Sequence, residues 1–262
     1  MAIEVFNRYE NKYLLDESTF DKLGQRLSPC LELDPHNRHH AAYTVTNLYY
    51  DTADSYLIRT SLQKPKYKEK LRLRSYGVPG ENDRIYAEIK KKVAGLTNKR
   101  RSQLALADAY SFLATGIMPE EKPYQNVQVL QEIAYIRSRQ ELIPALYLAY
   151  DRRAYFGAGH HDLRISFDCN IRCRRFDLTL EAGDYGQPLL DQGLWLMEIK
   201  TAQSIPLWLC RLLSEYKLYP VSFSKYGREY RQSLQKAYPP AAMFHFTAAA
   251  RGSVVYPQAV NI

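Results

Sequence analysis

The sequence contains no uninterrupted apolar run of about 18 residues, so nothing in it reads as a membrane-spanning helix. The opening residues, Met1-Ala2-Ile3-Glu4-Val5-Phe6-Asn7-Arg8, lack the basic-then-apolar order of a secretory leader, and the expected location is cytoplasmic. Cysteine is sparse. Cys30, Cys169, Cys173 and Cys210 fit no zinc or disulfide spacing. The histidines supply no metal motif either. His39-His40 and His160-His161 are adjacent pairs whose side chains point to opposite sides of an extended chain, and they read as ordinary surface residues. No His-Asp pattern accompanies Ser224, so a phosphate hydrogen bond or a helix cap fits it better than a nucleophile. Internal repeats and low-complexity linkers are also missing.

What is present is an ordinary globular composition, 46% hydrophobic and 24% charged over 262 residues, long enough for a substantial core. The reading is one domain over 1–238 and a loosely packed extension over 239–262, where pattern fades. The net charge of +8 points to an anionic partner: nucleic acid, a membrane surface or a phosphorylated metabolite. Spread diffusely, the same charge would require none.

Strand-like segments dominate. They fall at 4–15, 43–50, 66–76, 84–93, 97–104, 145–156, 162–174 and 194–201, with a weaker candidate at 176–181. Helical segments are expected after a cap at Asp16 or Ser18, then at 51–62, 105–115, 126–141, 206–219 and 225–238. Gly77-Val78-Pro79-Gly80 and Ala94-Gly95 supply hairpin turns. Eight or nine mostly antiparallel strands make an α+β sheet large enough to curl or close.

Alternation along the strands sorts the charge. Lys64, Lys66, Lys68, Lys70, Arg72 and Arg74 share one parity, with Leu71 and Leu73 on the other. Arg84, Tyr86, Glu88, Lys90 and Lys92 oppose Ile85, Ala87 and Ile89. Arg164, Ser166, Asp168, Asn170, Arg172 and Arg174 oppose Ile165, Phe167, Cys169 and Ile171. Glu198 and Lys200 share a face, as do Arg8, Glu10 and Lys12. A solvated outer face accounts for any one strand. Five faces this rich in Arg and Lys repel one another and call for an anion. Curled inward, they would line a basic tunnel suited to phosphate, with the scattered carboxylates available to a divalent metal.

The motifs Arg8-Tyr9-Glu10-Asn11-Lys12, Leu71-Arg72-Leu73-Arg74, Glu88-Ile89-Lys90, Lys99-Arg100-Arg101, Tyr150-Asp151-Arg152-Arg153, Leu163-Arg164-Ile165-Ser166-Phe167-Asp168, Glu198-Ile199-Lys200 and Phe223-Ser224-Lys225-Tyr226 run in order along nearly the whole chain. In this order they resemble the triphosphate tunnel metalloenzymes, and within them the VTC domain, the polyphosphate polymerase domain of the vacuolar transporter chaperone complex. The resemblance implies a closed, tunnel-like barrel of about eight antiparallel strands flanked by helices. It also implies catalytic Arg72, Arg74, Arg152 and Arg164. Lys12, Lys90, Lys99, Lys200, Lys225 and Ser224 would bind phosphate, and Glu198, Glu88 and Glu10 would hold Mn²⁺ or Mg²⁺.

Two departures qualify it. Arg8 stands where the hydrolase branch carries a first Glu, which favours the polymerase-like branch. Ser222 stands where polymerase members can carry a lysine.

The expected reaction is transfer of the γ-phosphate of ATP to a growing inorganic polyphosphate chain. The alternatives are a triphosphatase acting on short triphosphates and a non-catalytic polyphosphate-binding module. A tunnel open at both ends favours a long product and a plugged one favours hydrolysis. The parity of 64–74 lacks interleaved aromatics, which argues against nucleic acid. With no membrane span in the sequence, translocation would need a membrane partner.

Overall fold

The structure is a computed structural model that describes residues 9–37, 41–93 and 96–237. Arg8, the His39-His40 pair, the Ala94-Gly95 turn and the extension expected at 239–262 lie outside the described residues. In chain order the elements are β1 (Tyr9–Asp16), α1 (Glu17–Leu27), β2 (Leu31–Leu33), β3 (Tyr43–Asp51), α2 (Tyr56–Leu62), β4 (Tyr67–Tyr76), β5 (Arg84–Val93), β6 (Leu96–Ala105), α3 (Leu106–Thr115), α4 (Val127–Arg139), β7 (Ile143–Gly157), β8 (His160–Arg174), β9 (Gln187–Pro188), β10 (Leu194–Thr201), α5 (Leu207–Glu215) and α6 (Lys225–Ala237). No helix among the described residues is long and apolar enough to cross a membrane.

All the strands join one antiparallel sheet in the order β1-β10-β8-β7-β3-β4-β5-β6, with β2 on β7 and β9 on β8. Local chemistry sets several boundaries. Asp16 caps α1, its Oδ1 accepting from Thr19 N at 2.7 Å. Asn126 does the same for α4. Gly116, at φ +78°, closes α3 in the left-handed conformation that glycine adopts without strain.

One sheet face is covered in two places. Leu48, Leu71, Leu73, Ile85, Ile89 and Tyr147 pack under Phe112 and Leu113 of α3 and Ile133 of α4. Tyr13, Leu15, Ile165, Phe167, Met197 and Ile199 pack under Phe20 and Leu23 of α1 and Leu209 of α5. Each fully buried aliphatic side chain contributes about 1.5–3 kcal/mol. These clusters therefore fix which face turns away from the helices.

That other face is concave. Glu10 on β1 lies 3.4 Å from Lys90 on β5, although the two strands stand near opposite ends of the sheet order. The expected closed barrel is corrected here. Among the described residues β1 and β6 are the ends of the hydrogen-bonded path and do not pair with each other, so there the wall meets through side chains and not through a strand ladder.

Three further expectations change. The strand expected at 66–76 starts at Tyr67, so Lys64 and Lys66 of the alternating basic run precede it; Lys64 adopts φ +55°. Residues 176–181 form no strand. Arg172 and Arg174 do not share the face of Arg164 and Asp168. Asn170 sits at φ +47° in a bulge where the register jumps from Ala149↔Arg172 to Asp151↔Cys169. The extra residue reverses parity. Ile171 and Cys173 turn to the concave face, and the Arg174 guanidinium lies on the Tyr147 ring on the opposite face. Arg172 pairs with Asp151 at 3.3 Å and with Asp184 at 2.5 Å.

Candidate functional site: a basic concave face

The concave face carries two linked charge clusters. The first centres on Glu198 of β10, which pairs across strands with Lys12 on one side and Ser166 on the other. Its carboxylate lies 2.8 Å from Lys200, 3.2 Å from Lys12, 3.4 Å from Lys225 and 3.7 Å from Arg152. Burial pushes this carboxyl up, but Lys12, Lys200, Lys225 and Arg152 outweigh it and hold it well below the usual carboxylate range. Asp168, fully buried on β8, takes two bonds from Arg152 at 2.6 and 2.8 Å and one from Lys225 at 2.6 Å. Glu10 shares Lys12 with Glu198, at 3.0 Å.

The second cluster centres on Glu88 of β5. Arg72 lies 2.8 Å away, Arg74 3.6 Å and Lys99 2.6 Å. Arg72 also donates to Tyr49 Oη at 2.8 Å, and Arg74 to Asn47 Oδ1 at 3.0 Å and Tyr150 Oη at 3.3 Å. Tyr150 links the clusters, because Lys225 sits 4.3 Å from its ring centroid and Arg152 5.0 Å.

Lys225 reaches this interior from the first turn of α6. Ser224 caps that helix, its Oγ accepting from Gly227 N at 3.2 Å and from Lys70 Nζ at 3.0 Å. Tyr226 Oη donates to Asp51 Oδ2 at 2.9 Å, and Asp51 in turn accepts from Leu57 N and Ile58 N at the start of α2. A Cβ at Gly227 would stand 2.9 Å from Leu62, so glycine lets α6 seat closely on α2.

The structure thus gathers most of the sequence-derived site. Lys12, Glu10, Arg152, Glu198, Lys200 and Lys225 meet in one cluster, and Arg72, Arg74, Glu88 and Lys99 in the other. Lys90 approaches the first through Glu10. Arg164 stands apart, 2.7 Å from Asp34. Ser224 caps a helix and fixes Lys70.

The residues that sequence reasoning left out of the site are Asp168, Lys70, Asn47, Tyr49 and Tyr150. Strand parity had placed Asp168 and Lys70 on the charged faces. No charge signal marked the other three. Tyr49 and Tyr150 belong to the concave face, where their hydroxyls accept from Arg72 and Arg74. The absence of aromatics on β4 was therefore no guide to the whole face.

An apolar cluster fills one end of this face. Leu146, Leu148, Ile171, Cys173 and Leu196 pack there with Ile58 of α2 and Tyr226 of α6.

The three carboxylates expected to hold a metal differ in fitness. Glu198 and Glu10 are ionised hard-oxygen donors that share a lysine, the kind of one- or two-carboxylate site that Mg²⁺ or Mn²⁺ completes with substrate phosphates. Glu88 is 1% exposed and enclosed by Arg72, Arg74 and Lys99, so its carboxylate already serves as a counter-charge to three cations. Among the described residues no three His, Cys, Asp or Glu side chains converge as a complete protein cage.

A curled antiparallel sheet whose concave face is lined by cations around buried carboxylates defines a protein of the triphosphate-tunnel class. The VTC domain family model matches residues 7–234, and the chain belongs to that family. Among solved structures it is similar to a candidate adenylate cyclase of Bacillus halodurans, with 15% identity over 85% of this chain and 96% of the other, at a TM-score of 0.50. That likeness shows the fold. A candidate adenylate cyclase of Vibrio parahaemolyticus matches at 11% identity over 86% and 98% of the two chains, with a TM-score of 0.45. A Pyrococcus horikoshii protein matches at 12% over 86% and 99%, with a TM-score of 0.43. No curated protein matches the sequence.

Proposed function

We propose that this chain is a metal-dependent polyphosphate polymerase that transfers the γ-phosphate of ATP to a growing polyphosphate chain on the concave face. The observation that carries this reading is the excess of cations there. Among the described residues Lys12, Lys70, Arg72, Arg74, Lys90, Lys99, Arg152, Lys200 and Lys225 face the carboxylates of Glu10, Glu88, Asp168 and Glu198. The carboxylates hold the cations in place without neutralising them. An oligophosphate supplies the missing charge.

In this reading Arg72 and Arg74 present guanidinium groups to phosphate oxygens. Arg152 and Lys225, locked by Asp168, stabilise the charge that spreads over the transferred group. Phosphoryl transfer demands mainly positioning and charge neutralisation, and a phosphate acceptor is already ionised. The face accordingly has no need of a catalytic histidine. A divalent cation held by Glu198 and Glu10 would neutralise donor phosphate oxygens. The second reading, a triphosphatase on short substrates, is favoured by the apolar cluster that fills one end of the face.

Purified protein incubated with ATP and Mn²⁺ is expected to yield ADP together with a phosphate polymer on a gel. ADP with orthophosphate alone would select hydrolysis. Glu198→Gln is expected to lower turnover by at least about a hundredfold. Polyphosphate binding should persist or tighten, because the substitution removes a negative charge from between Lys12, Lys200, Lys225 and Arg152. Full activity in this variant would refute the role given to Glu198.

A further inference from the structure

A cavity of about 420 Å³ lies on the helix-covered side of the sheet, turned away from the concave face. Local structure opens it. The register of β3 on β7 shifts between Tyr49 and Tyr50, and Tyr50 comes to stand opposite Pro144, which has no N–H to give to the ladder. Both covering helices end at this place, α3 at the left-handed Gly116 and α4 at Arg139. Their last turns, Tyr50 and the 175–186 excursion surround the space.

Most of the lining is apolar, with Leu113, Leu142, Ile143 and Leu178 facing the rings of Tyr50 and Tyr110. The polar groups are few and unequally engaged. The Tyr110 hydroxyl is fully used: it donates to Glu181 Oε2 at 2.7 Å and accepts from Leu180 N at 2.8 Å. Arg137 is not. Its Nη2 donates to the Ala114 carbonyl at the end of α3, a good place for a cation. Its Nε is buried and, among the described residues, has no hydrogen-bond partner. No described carboxylate forms an ion pair with Arg137. A buried donor left unmade is costly, and an acceptor entering the cavity would remove that cost. Burial also raises the Tyr50 hydroxyl above the usual tyrosine range, so it stays a neutral donor beside Arg137.

Size and charge narrow the ligand. The volume falls within the range of about 300–1,000 Å³ typical of small-molecule sites. Arg137 is the lone cation of the lining and Glu141 is there too, so a multiply charged anion is poorly matched. A single planar carboxylate suits a guanidinium edge. The tyrosine rings and leucines suit a flat apolar body.

We propose that this cavity binds a small monocarboxylate with an aromatic body, its carboxylate on Arg137 and its ring among Tyr50, Leu113, Leu142 and Leu178. The site is separate from the concave face and does not rest on the phosphate-binding reading.

The probe is 3-phenylpropionate, compared with its uncharged amide, titrated into the full chain and followed by saturation-transfer NMR. Wild type is expected to bind the acid, and an excess of tripolyphosphate should change its affinity by less than about twofold, because one carboxylate-sized site is not shared with the concave face. Arg137→Gln keeps a donor for the Ala114 carbonyl and removes the charge. It is expected to bind the acid about tenfold more weakly and the amide within about twofold of wild type, the pattern of one lost charge-assisted bond. Ala114→Trp, at an exposed position of the lining, fills the space and should abolish binding of both probes. Leu178→Trp fills it from the excursion and serves where the first filling variant fails to fold. No binding of the acid by wild type, its displacement by tripolyphosphate, or undiminished binding in Arg137→Gln or in a folded filling variant would overturn the site.

Discussion

Lys70 stands among cations with a serine hydroxyl for a partner, and its titration near neutrality gives the concave face a proton ledger that can be read. In the folded chain it titrates at about 7, against about 10.4 when unfolded. Between those values the unfolded chain binds more protons, so this residue makes stability rise with pH across the window and fall again toward 7. Ligand binding has the opposite sense. A phosphate chain favours the charged lysine, so binding near pH 8 takes up a proton and affinity weakens as pH rises, by up to about tenfold per unit. Lys70→Met is expected to reduce the proton uptake measured by calorimetry in two buffers of different ionisation enthalpy. Unchanged uptake would show that other groups on the face carry it. At this scale charge was an informative but fallible signal: Glu198, Lys200, Arg72, Arg74 and Lys225 lie where alternation or motif had put them, whereas Arg172 and Arg174 do not. Asn47, Tyr49 and Tyr150 escaped because their roles come from neighbours on other strands. Asp168 was visible by parity, but only its position between Arg152 and Lys225 shows that it locks both.

Regular elements were legible where periodicity ran unbroken. β5 and β10 occupy the expected 84–93 and 194–201, and α6 starts at the expected Lys225. β2 and β9 are too short to show a period. The excursion over 175–186 is held by tertiary bonds, chiefly Arg174 donating to the carbonyls of Asp177, Thr179, Gly183 and Tyr185. β8 carried the misleading pattern. Its text alternates cleanly from Arg164 to Arg174, and the bulge that reverses the faces has no hydrophobic signature. Asn170 was its one mark, since asparagine tolerates the left-handed conformation better than most residues. This ties the element to a stability measurement. Asn170→Val should cost about 1–2 kcal/mol in urea unfolding, because a β-branched residue at φ +47° is strained. Asn170→Gly should cost far less, losing only the exposed bond to Asp151 Oδ2 at 2.9 Å. Equal losses would mean that the hydrogen bond, and not the backbone, sustains the bulge.

The +8 of the whole molecule is unevenly placed. Away from the concave face several cations are matched one for one or two for one: Arg26 with Glu215, Lys91 and Arg100 with Glu132, Arg175 with Glu229. On the concave face they are in excess, and the sheet curls them toward one another. A molecule built this way is least stable with that face empty, and an anion that spans it stabilises the fold by mass action. At about a hundredfold excess over its dissociation constant, a ligand contributes about 2.7 kcal/mol. At roughly 2–4 °C per kcal/mol for a domain of this size, long-chain polyphosphate should raise the melting temperature by roughly 5–10 °C. Sodium chloride at matched ionic strength only screens the repulsion and should do clearly less. The comparison is a thermal melt of the full chain with polyphosphate, with chloride and with neither. A charge spread over an ordinary solvated surface would respond alike to both salts, and an equal shift would therefore contradict the view that the excess is gathered on one face to receive a phosphate chain.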